Sequence, residues 1–486
     1  MRLSSDGRLS RVLLRVLARR RPLTSPQPLL VELFGAQPQD AHLVYESYPF
    51  VYAVARHGGR QEYSISNLLS EAALFKLRSL AAKTAELLRP ESVAPLAFGR
   101  LVQVLQQIAA EQVAGLPGAP RVKELSELIA YDVMGLSRLL ALAKDESVSE
   151  FYLDSDTTPM YLDHAKLGRC DTSIMFTERE RRALETHLDT FRGYTLDYAT
   201  PSLKNDLEVA GARFRLSLDL EPIAVNRFSL DVRRLDITSL SLPQLVEMKV
   251  LSAEAAAFLV AWLELGGNAT IIGETGTGKT TLLNALDEQL SPKLRRVYIE
   301  DAVETKDLLE RGYHQVKVKV DPFDRTERFL HTKETEIVKV LHRSPDLVVL
   351  SEIQSEEHSR AFFHALASGV RGIQTFHASS PEQAVRRWIN VHGIPKQSLL
   401  DLGVLVQMSR PDRLRPLRIA CSICEAVADG GEPGLRELYV RDRLHELRRI
   451  LPWERVSPPP GRDWEDLSQR TERLASAMAS GRVVSA

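Results

Sequence analysis

Ala269-Thr270-Ile271-Ile272-Gly273-Glu274-Thr275-Gly276-Thr277-Gly278-Lys279-Thr280-Thr281 is the most informative stretch of this 486-residue chain. A short apolar strand runs into G-x-x-x-x-G-K-[ST], and a helix over Thr281 to Gln289 follows, so the pattern sits in the strand–loop–helix context its chemistry requires. Glycines let backbone N–H groups curl around a phosphate, and the helix N-terminus adds the positive end of its dipole. Gly273, Glu274, Thr275, Gly276, Thr277, Gly278, Lys279, Thr280 and Thr281 are therefore candidate nucleotide contacts. Lys279 would supply a point charge at the β- and γ-phosphates, and Thr280 a hydroxyl for Mg²⁺.

Working outward from the loop, apolar strands alternate with helices from Glu247 onward, the signature of a parallel α/β sheet. Arg296 to Ile299 reads as a strand ending in Glu300-Asp301-Ala302-Val303-Glu304. Carboxylates at the C-terminal end of a sheet strand face the crevice where ligands bind in open α/β folds. There they could order an attacking water or hold Mg²⁺, although the same spacing also suits a helix cap. Asp346 to Leu350 is a third strand, ending in Ser351-Glu352, and places Glu352 where an acid can reach metal and γ-phosphate water. Gly372 to Phe376 is a fourth, with His377 beyond it as a γ-phosphate sensor or a capping histidine.

The chain upstream has a different texture. Tyr48 to Ala55 reads as a strand, Leu68 to Leu88, Val93 to Val113 and Val122 to Ala143 as helices, and Gly115 to Pro120 as a loop. Short strands follow at Phe151 to Leu153, Met160 to Leu162 and Thr172 to Phe176, then a helix over Glu178 to Phe191. Arg213 to Leu220 and Phe228 to Val232 alternate like a hairpin. A low-helicity segment, Asp236 to Pro243, puts a domain boundary near Leu240. The expected division is a basic tail over 1–26, a strand and helix region over 27–145, an α+β subdomain over 146–240, a P-loop domain over 241–428 and an extension over 429–486.

Composition limits the remaining choices. With 63 Lys+Arg against 64 Asp+Glu the formal net charge is −1, so no whole-protein basic field attracts nucleic acid. Hydrophobic residues at 44% and charged residues at 26% are ordinary globular values and exclude a collagen-like, disordered or disulfide-framework chain. The three cysteines, Cys170, Cys421 and Cys424, suit a reducing compartment. The lone CxxC in the strand-like run Leu417 to Val427 has no second pair to complete a zinc site. The longest apolar run, Ala255 to Leu263, is far short of the roughly eighteen residues that span a bilayer. The first 25 residues carry seven arginines interleaved with aliphatics, a basic amphipathic stretch that suits an anionic membrane surface or a docked terminal helix.

Taken together, Gly273 to Thr280, Ile299-Glu300-Asp301, Ser351-Glu352 and Thr375-Phe376-His377-Ala378 resemble the secretion ATPase superfamily, which powers type II and type IV secretion and type IV pilus assembly. Tyr45 to Leu68, Glu150 to Asp163 and the tail from Leu438 through Leu474 are similar to its archaeal pilus and archaellum motor branch. The resemblance implies an α/β fold: a C-terminal RecA-like P-loop NTPase domain with an α+β N-terminal domain preceded by a helical region. It implies ATP and Mg²⁺ as cofactors, a homo-oligomeric ring, most simply a hexamer, and no nucleic acid. A polytopic membrane platform protein would be the direct partner and pilin-like subunits the indirect one, with the engine cytoplasmic and peripheral at the inner face of the membrane.

By the same resemblance Lys279, Glu300, Glu304, Glu352, His377 and Arg213 carry catalysis, and Thr280, Asp301 and Glu352 the metal. Arg227 and Arg233 are weaker candidates for the arginine that Arg213 supplies from the N-terminal domain. The chain departs from the family where Gln354 replaces an arginine, Ser351 a glycine and Val370 the first histidine of a pair. Two other readings therefore stay open, a noncatalytic or regulatory nucleotide-binding ring subunit and a DNA-transfer ATPase.

Overall fold

The computed structural model describes residues 40–87, 98–115, 121–192, 196, 198, 200–235, 240–320, 332–412, 417–429, 431–442 and 446–479. The basic segment 1–26 lies outside them. The chain divides into two compact units, residues 1–237 and 238–486.

In the first unit, β1 (Leu43–Ser47), β2 (Phe50–His57) and β3 (Arg60–Asn67) form a meander, followed by helices Glu71–Leu87, Phe98–Ala114, Val122–Met134 and Ser137–Lys144. Then come β4 (Val148–Leu153), β5 (Tyr161–His164), β6 (Gly168–Thr172), the helix Glu178–Arg192, β7 (Ser202–Val209), β8 (Ala212–Leu220) and β9 (Phe228–Arg234). All nine strands join one sheet in the order β1-β2-β3-β6-β5-β4-β9-β8-β7. The parallel pairing of β3 with β6, Gln61 opposite Cys170, carries the hydrogen bonds across residue 145. Segments 27–145 and 146–240, expected to stand apart, therefore share a sheet and a continuous core that runs from Phe50 and Tyr52 to Leu230 and Val232.

Two local expectations give way for identifiable reasons. The helix expected over 122–143 is broken at Gly135, whose φ of 75° a Cβ-bearing residue resists, and whose Cβ would sit 3.2 Å from that of Ala183. The strand expected over 172–176 lies earlier, because the turn after His164, with Gly168 at φ 80°, pairs β6 back on β5. Ile174 and Phe176 are buried outside any strand. The hairpin expected from Arg213–Leu220 and Phe228–Val232 is present as β8 paired antiparallel with β9, and β7 adds a strand the sequence reading lacked, joined to β8 through a tight Ala210–Gly211 turn in which both residues have positive φ.

The second unit carries helices Leu242–Glu247 and Ala253–Glu264, then β10 (Ala269–Ile272), helix Lys279–Asp287, β11 (Arg295–Glu300), β12 (His314–Lys319), helix Lys333–Val340 and β13 (Leu347–Ile353). Helix Glu356–Ala367, β14 (Gly372–Phe376), helix Pro381–Arg386, β15 (Val404–Ser409), β16 (Ile419–Asp429), β17 (Glu432–Arg441), β18 (Leu447–Arg449) and helix Trp464–Ala479 follow. The sheet order is β12-β11-β13-β14-β10-β15-β16-β17-β18, parallel from β12 through β15 and antiparallel beyond. This is a RecA-like P-loop sheet. Its central strands are buried on both faces, which explains the unbroken apolar runs.

The expected extension 429–486 is not separate. Strands β17 and β18 lengthen the same sheet, and Leu467 and Met478 of the last helix belong to the core around Phe258. Cys421 and Cys424 lie in β16 as free thiols that burial pushes upward, Cys424 to about 12. Among the described residues no helix is long and apolar enough to cross a membrane.

Asn268, just before β10, ties the P-loop strand to both of its neighbours. Its Oδ1 accepts from Gly372 N (2.9 Å) and its Nδ2 donates to Asp401 O (2.8 Å), while its own carbonyl accepts from Val404 N and Trp262 Nε1. Gly403 lies against that carbonyl at φ 70°, and a Cβ there would come within 2.3 Å of Asn268 O. Gly403→Ala is expected to destabilise the unit by about 2 kcal/mol or more, because both backbone strain and a backbone clash must be relieved. Urea unfolding followed by circular dichroism reads this directly.

Candidate active site

The phosphate loop lies at the C-terminal ends of the parallel strands β10, β14 and β15, beside the N-terminal end of antiparallel β16. The loop begins at Gly273, whose N donates to Phe376 O at 3.3 Å, tying it to the end of β14. A Cβ on Gly273 would lie 2.5 Å from Thr277 Oγ1 and 2.6 Å from Met408 O, so only glycine lets the backbone turn this closely. Gly276 and Gly278, at φ 75° and 89°, complete the curl and start the helix at Lys279. Thr277 Oγ1 donates to Glu274 O at 2.8 Å and closes the loop from within. Arg418, just ahead of β16, donates from Nε to Gly276 O at 2.9 Å.

Lys279 is 8% exposed. Its ammonium donates to Gly273 O (3.0 Å) and Glu274 O (2.9 Å) and faces His377 Nδ1 at 3.3 Å. An ammonium has no acceptor, so this nitrogen of His377 accepts and the ring N–H is assigned to Nε2, which faces Glu352 Oε1 in a close contact. The other oxygen of Glu352 accepts from Gln354 Nε2 at 2.6 Å. Burial works to raise the Glu352 carboxyl, but the bonds from His377 and Gln354 outweigh it and hold it below its usual range. Lys279, His377, Glu352 and Gln354 thus form one hydrogen-bonded chain across the ends of three strands.

The acidic loop after β11 divides its labour. Glu300, 1% exposed, accepts from Glu304 N (3.1 Å), Thr305 N (3.0 Å) and Thr305 Oγ1 (2.7 Å). Burial raises its carboxyl despite those bonds. Through these bonds Glu300 holds the turn from Glu300 to Thr305. Glu304, by contrast, accepts from Thr280 Oγ1 at 2.9 Å, and Asn284 of the P-loop helix braces the loop through Glu304 O and Lys306 N. Asp301, expected to join Thr280 and Glu352 at the metal, instead pairs with buried Lys333 at 3.1 Å. The acid beside Thr280 is Glu304.

Oxygen donors at Thr280 and Glu304 beside a backbone cradle suit a phosphate ester with a hard divalent ion, since Mg²⁺ takes few protein ligands and completes its shell with phosphate and water. Among the described residues no cluster of three or more His, Cys, Asp or Glu side chains could hold a metal independently.

Arg213, Arg227 and Arg233 belong to the first unit. Arg213 stands on β8 opposite Glu208, Arg227 pairs with Asp156 at 3.7 Å, and Arg233 pairs with Glu150 at 3.2 Å. Sequence reasoning missed Lys333, Arg418 and Arg387. The helix Pro381–Arg386 widens into a π-turn over Arg387–Val391, from which Arg387 donates to His377 O (3.0 Å) and Gln354 O (3.1 Å) and stacks over Phe376. Basic residues at the right places in the fold carry no local signal, because their partners lie many residues away.

His358, on the helix after Glu352, is buried, and burial followed by the Lys333 charge lowers its pKa to about 4. A neutral buried histidine contributes stability above pH about 6.5 that is lost as pH falls toward its folded value. His358→Gln should remove about 3 kcal/mol of the stability lost between pH 7.5 and pH 4, as read by urea unfolding across that range.

Residues 204–441 match the family model described as type II/IV secretion system protein. An uncharacterized protein of Methanocaldococcus jannaschii is 31% identical over 174 residues, 34% of this chain and 60% of that protein. The type IV secretion system protein PtlH of Bordetella pertussis is 35% identical over 133 residues, 27% of this chain and 38% of that protein. The chain thus spans less than two thirds of the length of either relative. Among solved structures, the Legionella pneumophila ATPase DotB aligns with a TM-score of 0.43 at 16% identity, over 70% of this chain and 87% of that one. Over residues 204–441, just under half of its length, the chain is similar to the type II/IV secretion system protein family.

Proposed function

We propose that the chain is an ATP-hydrolysing motor of a type II/IV secretion or type IV pilus-like assembly system. The observation that carries this reading is the chain from Lys279 through His377 to Glu352, set beside the Thr280–Glu304 pair at one edge of the sheet. Lys279 would exchange its loop carbonyls for the β- and γ-phosphates, and His377, released from the ammonium, would meet the γ-phosphate oxygens. Glu352, held as a carboxylate, would orient the attacking water. Mg²⁺ bound with the nucleotide would neutralise phosphate charge through Thr280 and the acids around it. Glu300, Asn284 and Arg387 keep these groups in register.

A ring completes the reading. In a homohexamer, Arg213 or another first-unit arginine would reach a nucleotide and spread its charge over the γ-phosphate. Domain motion would then be passed to a polytopic membrane platform protein acting on pilin-like subunits, with the ring at the cytoplasmic face. The similarity to an archaeal protein favours the archaeal branch. Gln354 and Val370 favour a second reading, a nucleotide-binding ring subunit without turnover, because Gln354 places a neutral amide where the family carries a guanidinium.

Purified protein should hydrolyse ATP in the presence of Mg²⁺. Lys279→Ala should abolish nucleotide binding, and Glu352→Gln should retain binding while turnover falls by about 10²-fold or more. Wild-type rates in either variant would sink the catalytic assignment; binding without turnover in the wild type would favour the regulatory subunit.

A further inference from the structure

Lys333 is the least expected charge near the site. It opens the helix Lys333–Val340, where the helix dipole disfavours a cation, and it is only 2% exposed. A buried ammonium in that position persists only where strong acceptors surround it. Two are present: Asp301 Oδ1 at 3.1 Å, just after β11, and Glu352 O at 2.8 Å, at the end of β13. These strands are direct neighbours, Ile299 opposite Leu350, so one side chain joins two adjacent strand ends.

The charge balance of the crevice gives that contact a consequence. Glu300, Asp301, Glu304 and Glu352 crowd the same edge, and a nucleotide polyphosphate would add further negative charge. Cations on the protein must offset part of it. Lys279 serves the phosphates, whereas Lys333 serves Asp301.

We propose that Lys333 is a built-in counter-ion that commits Asp301 to structure, so that the divalent ion entering with the nucleotide is held through Thr280 and Glu304 and not through Asp301. Lys333 is then a positioning residue. The proposal rests on the nucleotide-binding reading above and sharpens which acid serves the metal.

The test measures free Mn²⁺ by electron paramagnetic resonance during titration of the full chain with saturating ADP, beside ADP binding without metal in EDTA. Asp301→Asn should leave Mn²⁺ affinity within about twofold of wild type, while Glu304→Gln should weaken it about tenfold. Lys333→Met should tighten Mn²⁺ about tenfold by exposing Asp301 to the ion. If that variant does not fold, Lys333→Met/Asp301→Asn, which removes both charges, should fold and return Mn²⁺ affinity to the wild-type value. Mn²⁺ affinity lowered tenfold by Asp301→Asn, with metal-free ADP binding intact, overturns this inference alone. Absence of ADP binding by the wild type both in EDTA and with saturating Mn²⁺ overturns the nucleotide reading and the inference with it.

Discussion

Lys279 is the constraint around which the second unit is arranged. A buried ammonium must be solvated by the protein, and here two loop carbonyls and a histidine nitrogen do so. Those acceptors exist only because Gly273, Gly276 and Gly278 turn the backbone inward, and because β10 lies between β14 and β15. The strand order brings His377 from β14 and Glu352 from β13 to the same edge. In the proposed function, a phosphate arriving in the loop would compete directly with these acceptors, so binding would rearrange the Lys279–His377–Glu352 chain. This is how a local charge exchange can be felt at the strand ends where Arg387 and Lys333 are anchored.

What could be read from sequence follows from how local its physical cause is. The P-loop, the strands around it and the placement of Glu352 and His377 are written in short segments whose spacing fixes their geometry. The α/β fold was legible for the same reason, since a parallel sheet buried on both faces leaves unbroken apolar strands. The merging of 27–145 with 146–240 was not, because it depends on β3 pairing with β6 across more than a hundred residues. The break at Gly135 and the Ala210–Gly211 turn are marked in the sequence by their glycines, both at positive φ.

The site shows the same division. Three acids in Glu300-Asp301-Ala302-Val303-Glu304 look interchangeable in sequence, yet one braces the loop, one pairs with a lysine and one meets Thr280. Only tertiary partners distinguish them, and Lys333 and Arg387 are invisible until the chain is folded. The departures from the family pattern also acquire physical meaning. Gln354 is not idle, since its amide holds Glu352 and its carbonyl receives Arg387. Val370 packs against the apolar cluster around Ile353 and Phe376, a packing role in the place of a histidine.

The central claim is that Gly273–Thr280 is a working nucleotide site whose lysine gives up its protein acceptors to phosphate. Equilibrium titration of the purified full-length chain with a nonhydrolysable ATP analogue and Mg²⁺, followed by calorimetry, tests it most directly. The expected result is saturable binding at one site per chain with a dissociation constant of about 1–100 μM, on the order of 5–8 kcal/mol of binding free energy. No detectable binding at millimolar nucleotide would contradict it.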